Sequence, residues 1–242
     1  MRMRKKKNGA TRLAACSEYL FDIPATPLSD PATALGVGGA PVWLEIGAGK
    51  GGFAVGMVKA NPDVCYFAME RVSDCVTLAA ELAKRLDMPK SLRFVVDTAD
   101  NLTRLFEYGT VDRIFLNFSD PWSKKGYAKR RLPHRRYLAV YMNLLKDGGS
   151  FTFKTDNVGL FDFTLEEIEA MGLKPVAFTR DLHASEYNEG NVMTEYETAF
   201  SSEGIKINMV RVEKPSGFSP EIEPSLLPDR KNYVRDNNSD VG

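Results

Sequence analysis

From Val42 onward the chain alternates short apolar runs with helix-length segments, and the first junction is a glycine-rich loop, Gly47-Ala48-Gly49-Lys50-Gly51-Gly52. That alternation constrains the fold more than any other feature. Strand–helix–strand units close as a parallel sheet with helices packed on its faces. Residues 42–46, 64–69, 92–96, 113–118, 150–154, 175–179 and 205–212 read as strands. Residues 51–60, 73–86, 137–145 and 160–171 read as helices, with Ser73 as an N-cap and an Asp147-Gly148-Gly149 turn stopping the third. The expected architecture is α/β: a doubly wound, mainly parallel, seven-stranded sheet with helices on both faces.

The chain has 242 residues, enough for one such domain, and its 43% hydrophobic content can fill a sizeable core. The periodic part spans 41–213. Residues 1–40, with a basic start and then scattered prolines and glycines, read as an arm and linker. Residues 214–242, rich in Pro, Ser, Asp and Asn, read as a flexible or loosely draped tail. No stretch approaches a membrane span, and the basic start lacks the apolar core of a secretory signal. Cys16, Cys65 and Cys75 are too few and too scattered for a disulfide framework or a zinc site, so no metal is expected and the default setting is the cytoplasm.

Chemistry concentrates at the end of the fourth strand. Leu116-Asn117-Phe118-Ser119-Asp120-Pro121-Trp122 places a carboxylate and a Pro-Trp pair where open α/β sheets bind ligands. A basic run follows at once: Lys124, Lys125, Lys129, Arg130, Arg131, His134, Arg135 and Arg136. Formal charge balances at 32 basic and 32 acidic residues, so only local clusters such as this one can attract a polyanion. A solvated charged face is the ordinary reading of such a run taken alone.

The glycine loop satisfies Gly-x-Gly-x-x-Gly at 47, 49 and 52, so a dinucleotide is a legitimate ligand. Glu45 argues against one. A carboxylate two residues before the first glycine opposes a pyrophosphate but suits an ammonium and a sulfonium, the charges of S-adenosylmethionine. Glu70, at the second strand's end, could accept from ribose hydroxyls. Asp97 or Asp100, after the third strand, could meet the adenine amino group.

Taken together, several motifs resemble the bacterial tRNA (guanine-N7)-methyltransferase family. They are Met1-Arg-Met-Arg4, Glu45-Ile-Gly-x-Gly-Lys-Gly-x-Phe53, Asn117-Phe-Ser-Asp-Pro-Trp122 with Lys-Arg-Arg131, Phe153-Lys-Thr-Asp-Asn157 and Asn191-x-Met-Thr-Glu-Tyr-Glu197. The resemblance implies a Rossmann-like class I methyltransferase that forms 7-methylguanosine, at guanosine 46 of the variable loop. It implies S-adenosylmethionine as methyl donor, tRNA as partner, and a monomer or homodimer with no obligatory partner protein. It implies that Glu45, Gly47, Gly49, Glu70, Asp97 and Asp120 hold the cofactor, with Asp120 also catalytic. Lys124, Asp156, Thr194, Glu195, Tyr196 and Glu197 match substrate-binding positions. Lys125, Lys129, Arg130 and Arg131 match the RNA-contacting segment. Ser123 stands where the family usually has Pro, and Gly126-Tyr127-Ala128 is less basic than its pattern.

The residues suit that chemistry. N7 of neutral guanine carries an in-plane lone pair and needs no deprotonation, which agrees with the lack of a compelling His/Asp pair. A nearby carboxylate such as Asp120 or Asp156 can stabilise the cation that develops on the purine. Trp122 and Tyr196 are candidates to stack on bases, although Trp122 could equally plug the core behind the strand. His183 and the set Phe151, Phe153, Phe161 and Phe163 read as structural. The rival readings are a non-catalytic RNA-binding module on the same fold and a dinucleotide-dependent oxidoreductase.

Overall fold

The computed structural model describes residues 8–227. The basic start at Arg2–Lys7, the Met1–Arg4 motif and the last part of the expected tail lie outside the described residues.

Seven strands form one sheet in the order β3-β2-β1-β4-β5-β7-β6. They are β1 (Val42–Ile46), β2 (Cys65–Glu70), β3 (Leu92–Val96), β4 (Val111–Asn117), β5 (Leu145–Thr155), β6 (Pro175–Thr179) and β7 (Asn208–Glu213). All neighbours run parallel except that β7 is antiparallel to both β5 and β6. The doubly wound, mainly parallel arrangement expected from the alternation, and the Rossmann-like fold implied by the resemblance, are therefore the observed ones. The strands read as continuous apolar runs because both faces are covered. Leu44, Phe67 and Ile114 point into one core, while Trp43, Tyr66 and Phe115 point into the other.

Eight α-helices accompany the sheet among the described residues: α1 (Gly9–Ala14), α2 (Pro31–Ala34), α3 (Gly52–Ala60), α4 (Ser73–Arg85), α5 (Leu102–Leu105), α6 (Arg135–Leu144), α7 (Val158–Ala170) and α8 (Glu195–Ser202). Residues of α2, α5, α6 and α7 fill the larger core, and those of α3 and α4 fill the second. Ser73 is not the N-cap of α4 but its first helical residue. The preceding Val72 donates its N–H to Glu70 at 2.9 Å, so the strand-end carboxylate organises this junction. Helix α6 ends earlier than expected, at Leu144, because the chain joins the sheet directly through β5.

Two expectations need correction. Residues 8–40 are not a loose arm. Arg12 Nε donates to Glu81 Oε1 of α4 at 2.7 Å, Leu20 and Leu28 form isolated bridges to Phe94 and Phe106, and Ala32 is buried. Nor are residues 215–227 loosely draped. Ile222 and Leu226 sit in the larger core, and the Asn143 side chain donates to the Pro220 carbonyl at 2.8 Å. Both segments are irregular, so their apolar anchors occur singly and give no periodic signal.

Candidate functional site

The C-terminal ends of β1 to β4 open into one cavity of about 880 Å³, at the β1/β4 junction where strand order reverses. Its floor is the glycine loop. Gly47 and Gly49 have φ of 82° and 55°, and a Cβ at either would meet no protein atom within 4 Å, so a ligand can lie directly on this backbone. Gly51 serves a different purpose: a Cβ there would stand 2.7 Å from the Ala79 Cβ, so its absence lets α3 and α4 pack closely.

Three expected acids line this cavity beside the loop. Glu45 is 2% exposed and has only long contacts, 3.5 Å each, with the Tyr66 hydroxyl and Asn117 Nδ2. Burial pushes its carboxyl up to about 8, against the easing effects of Asn117, the Lys154 charge and Tyr66. Asn117 Oδ1, next to it, is buried with no hydrogen-bond partner, and so is Ser119 Oγ. Two acceptors and a destabilised carboxylate facing one space are what an ammonium group would satisfy. Glu70 accepts from Gly49 N at 3.1 Å and from Val72 N, which leaves each oxygen a further lone pair. Asp97 holds Thr98 N and Asn101 Nδ2 on Oδ1 alone. Asp100 also lines the cavity, and its Oδ1 accepts from the Tyr137 hydroxyl at 2.8 Å.

The segment after β4 is strained. Phe118 and Trp122 have φ of 52° and 42°, a left-handed conformation uncommon for bulky residues and costing about 1–3 kcal/mol each. Packing holds both. The Phe118 ring stacks on Tyr196 at 6.4 Å and contacts Phe200 at 6.3 Å. Arg131 donates from Nε to the Pro121 carbonyl at 3.0 Å and from Nη2 to the Trp122 carbonyl at 3.1 Å. Between these braces Asp120 projects outward with a 68% exposed side chain, 3.6 Å from Arg71 Nη2. The half-buried Trp122 ring meets Tyr127 edge-on at 5.7 Å, and Arg130 lies 5.2 Å and 4.6 Å from the two ring centroids. Trp122 is thus a rim residue rather than a core plug.

Helix α8 covers the opposite wall. Thr194 caps it by accepting from Glu197 N at 2.9 Å. Glu195 reaches the loop, 3.5 Å from Lys50 Nζ, and Tyr196 is exposed. Glu197 is fully buried. It accepts from Lys154 Nζ at 2.6 Å and Asn191 Nδ2 at 2.7 Å, and pairs with His183 Nε2 at 2.9 Å. Burial works against its charge, but Lys154, His183 and Asn191 outweigh that and hold its carboxyl below the usual range. Burial pushes the Lys154 ammonium down, opposed by Glu197.

The cavity therefore gathers Glu45, Gly47, Gly49, Glu70, Asp97, Asp120, Thr194, Glu195, Tyr196, Lys129 and Arg130. Lys124, Lys125 and Asp156 lie outside its lining. So do Arg131, which braces the Pro121–Trp122 turn, and Glu197, which faces inward. Arg135 of the basic run is likewise bound to Glu167, at 2.8 Å through both Nε and Nη2. Asn117 and Ser119 had no assigned role in the sequence, where position at a strand's C-terminal end was the available signal, and Arg136, read there only as part of the basic run, lines the cavity.

The family model described as "Putative methyltransferase" matches residues 39–210. The tRNA (guanine-N(7)-)-methyltransferase of Streptococcus sanguinis (strain SK36) is 39% identical over 210 residues, 87% of this chain and 98% of that protein. The enzyme of the same name from Streptococcus pneumoniae (strain Hungary19A-6) is 39% identical over 213 residues, 88% of this chain and its own full length. Among solved structures, the antibiotic-resistance methyltransferase Kmr superposes with a TM-score of 0.55 at 18% identity, covering 77% of this chain and 92% of that one. At that identity the likeness concerns the fold.

Proposed function

The chain belongs to the tRNA (guanine-N7)-methyltransferase family, so its reaction is methyl transfer from S-adenosylmethionine to N7 of guanine in tRNA, and on that premise we propose how its residues divide the work. The observation that carries the proposal is one cavity whose glycine-loop end is acidic and whose outer rim is aromatic and basic.

When bound, S-adenosylmethionine supplies an electrophilic methyl group on a sulfonium. Glu45 and Asn117 Oδ1 accept from its ammonium, which supplies the cation that the buried Glu45 lacks. The backbone at Gly47 and Gly49 lets the ligand lie close. Glu70 takes the ribose hydroxyls and Asp97 the adenine amino group. Asp120 stands where the cavity meets the rim. There it orients the purine and stabilises the positive charge that develops on its imidazole ring, with no proton removed from N7. Asp156 follows β5, next to β4 in the sheet, and supports the same purine from outside the cavity.

Trp122 and Tyr196 flank the mouth as stacking surfaces for a base displaced from the folded RNA. Lys124, Lys125, Lys129 and Arg130 engage phosphates. The target is guanosine 46 of the variable loop. The protein acts as a monomer or homodimer with no obligatory partner protein. No helix among the described residues is long and apolar enough to cross a membrane; a cytoplasmic setting agrees with a tRNA substrate.

The cofactor assignment is tested by thermal denaturation with S-adenosylhomocysteine or NAD at equal concentration. Ligand at a hundred times its Kd should stabilise the fold by about 2.7 kcal/mol. Stabilisation by S-adenosylhomocysteine alone supports the assignment. Stabilisation by NAD alone would return the glycine loop to a dinucleotide.

A further inference from the structure

The segment after β7 lies beyond the family match, yet it packs behind Arg136, a residue of the methyl-donor cavity's lining. Residues 215–227 cross the face of the sheet that carries α5 and α6. Asn143 and Thr103 grip the Pro220 and Leu226 carbonyls at 2.8 Å and 2.7 Å, and Ile222 and Leu226 are buried. Between these anchors Glu223 is presented to Arg136, its Oε2 3.7 Å from Arg136 Nε.

Arg136 lines the cavity, and its side chain is 18% exposed. Its guanidinium lies 4.8 Å over the Tyr137 ring, and Nη2 stands 3.7 Å from Asp100 Oδ1. Asp100 in turn holds the Tyr137 hydroxyl. Neither ion contact of Arg136 is short enough for a hydrogen bond, and its buried Nε has no hydrogen-bond partner. The guanidinium is therefore held by ring packing and by a carboxylate on each side. Loss of either carboxylate removes one of the two charges that fix the guanidinium at this place in the lining.

We propose that residues 215–227 form a strap that backs the methyl-donor cavity, and that Glu223 is a positioning residue that fixes Arg136 at its place in the cavity lining, between Glu223 and Asp100. The strap thereby raises affinity at the end of the cavity formed by Asp97 and Asp100. The proposal rests on the cofactor reading above. Glu221 and Glu223 also share with Lys129 and Arg136 the lining of an adjoining groove of about 390 Å³, so shielding of the basic surface from RNA is the competing outcome of the test.

The test uses the full chain with Glu223→Gln, Arg136→Gln and the double variant. Calorimetry gives the S-adenosylhomocysteine Kd, and steady-state kinetics give KM for each substrate and kcat. Glu223→Gln should weaken S-adenosylhomocysteine roughly threefold to fivefold and raise the KM for S-adenosylmethionine alike, with kcat and the tRNA KM unchanged. Arg136→Gln should weaken it similarly, and the double variant should lose little more, because both act through one contact. Glu223→Asp should recover part of the loss. An unchanged Kd in Glu223→Gln, or losses that simply add, would overturn the proposal. So would a lower tRNA KM with the Kd unchanged, which would assign the strap to shielding RNA. If the unsubstituted protein binds no S-adenosylhomocysteine, the cofactor reading fails instead.

Discussion

Lys154 and Glu197 form an ion pair with Nζ and Oε2 2.6 Å apart and side chains only 4% and 0% exposed. The pair joins β5 to the first turn of α8, the helix that brings Glu195 and Tyr196 to the cavity. The Lys154 ammonium also donates to Asn191 Oδ1 and the Val192 carbonyl, both at 3.1 Å, and sits 5.0 Å over the Phe53 ring. It thus ties the loop before α8 to the helix that follows the glycine loop. Glu197 is fully buried in this scaffold and lies outside the cavity lining, so it holds α8 rather than reaching the cavity.

Breaking that pair should be costly. Glu197→Ala leaves the Lys154 ammonium buried beside neutral partners and should lower stability by about 3–5 kcal/mol in chemical denaturation. Replacing both residues by apolar ones of similar size should cost much less. A Glu197→Ala variant as stable as the parent would show that the pair does not hold α8 in place.

Glu45 should couple stability to pH. Its carboxyl is raised to about 8 in the folded protein and lies near 4.5 otherwise, so folding takes up a proton between those values. Its contribution is fully present below the lower value and is lost as pH rises through 8. The melting temperature of Glu45→Gln minus that of the parent should therefore climb between pH 5.5 and 9. The same variant should bind S-adenosylhomocysteine more weakly at pH 8. A flat difference across that range would contradict the burial argument.

Asp120→Ala should separate binding from chemistry. The side chain is exposed and its one ion contact, Arg71, is loose at 3.6 Å, so the fold should not depend on it. Single-turnover methyl transfer should fall by about a hundredfold or more, while tRNA affinity stays within a few-fold of the parent. Near-normal turnover would remove Asp120 from the reacting centre.

The rim should show a division between stacking and charge. Trp122→Ala should weaken tRNA binding by about 1–3 kcal/mol with little change in salt dependence. Lys129→Ala should weaken it and lower the slope of log K against log salt by about one. Arg131→Ala, by contrast, should act chiefly through the Pro121–Trp122 turn that it braces, and its measured effect should be on turnover and stability. A salt slope that moved with Arg131 as it does with Lys129 would place Arg131 on the RNA after all.

What the sequence revealed follows from range. Strands 1 to 4 and their end acids were legible because period, glycine loop and acid all lie within a dozen residues of one another. Glu45 and Asp120 could be placed at strand ends without any coordinates. The inward turn of Glu197 could not, since its partner Lys154 is 43 residues away and buried charge pairs have no spacing signature. Likewise Leu20, Ile222 and Leu226 are single anchors in irregular chain, so the segments they pin looked loose. The basic run looked uniform in sequence, yet the fold turns Arg131 and Arg135 back onto protein and leaves Lys129 and Arg130 at the cavity.

The most direct measurement is methyl transfer from labelled S-adenosylmethionine to unmodified tRNA transcripts, followed by nucleoside analysis. The account predicts label in 7-methylguanosine, lost when the variable-loop guanosine 46 is replaced. Label in any other nucleoside, or 7-methylguanosine that persists after that replacement, would contradict it.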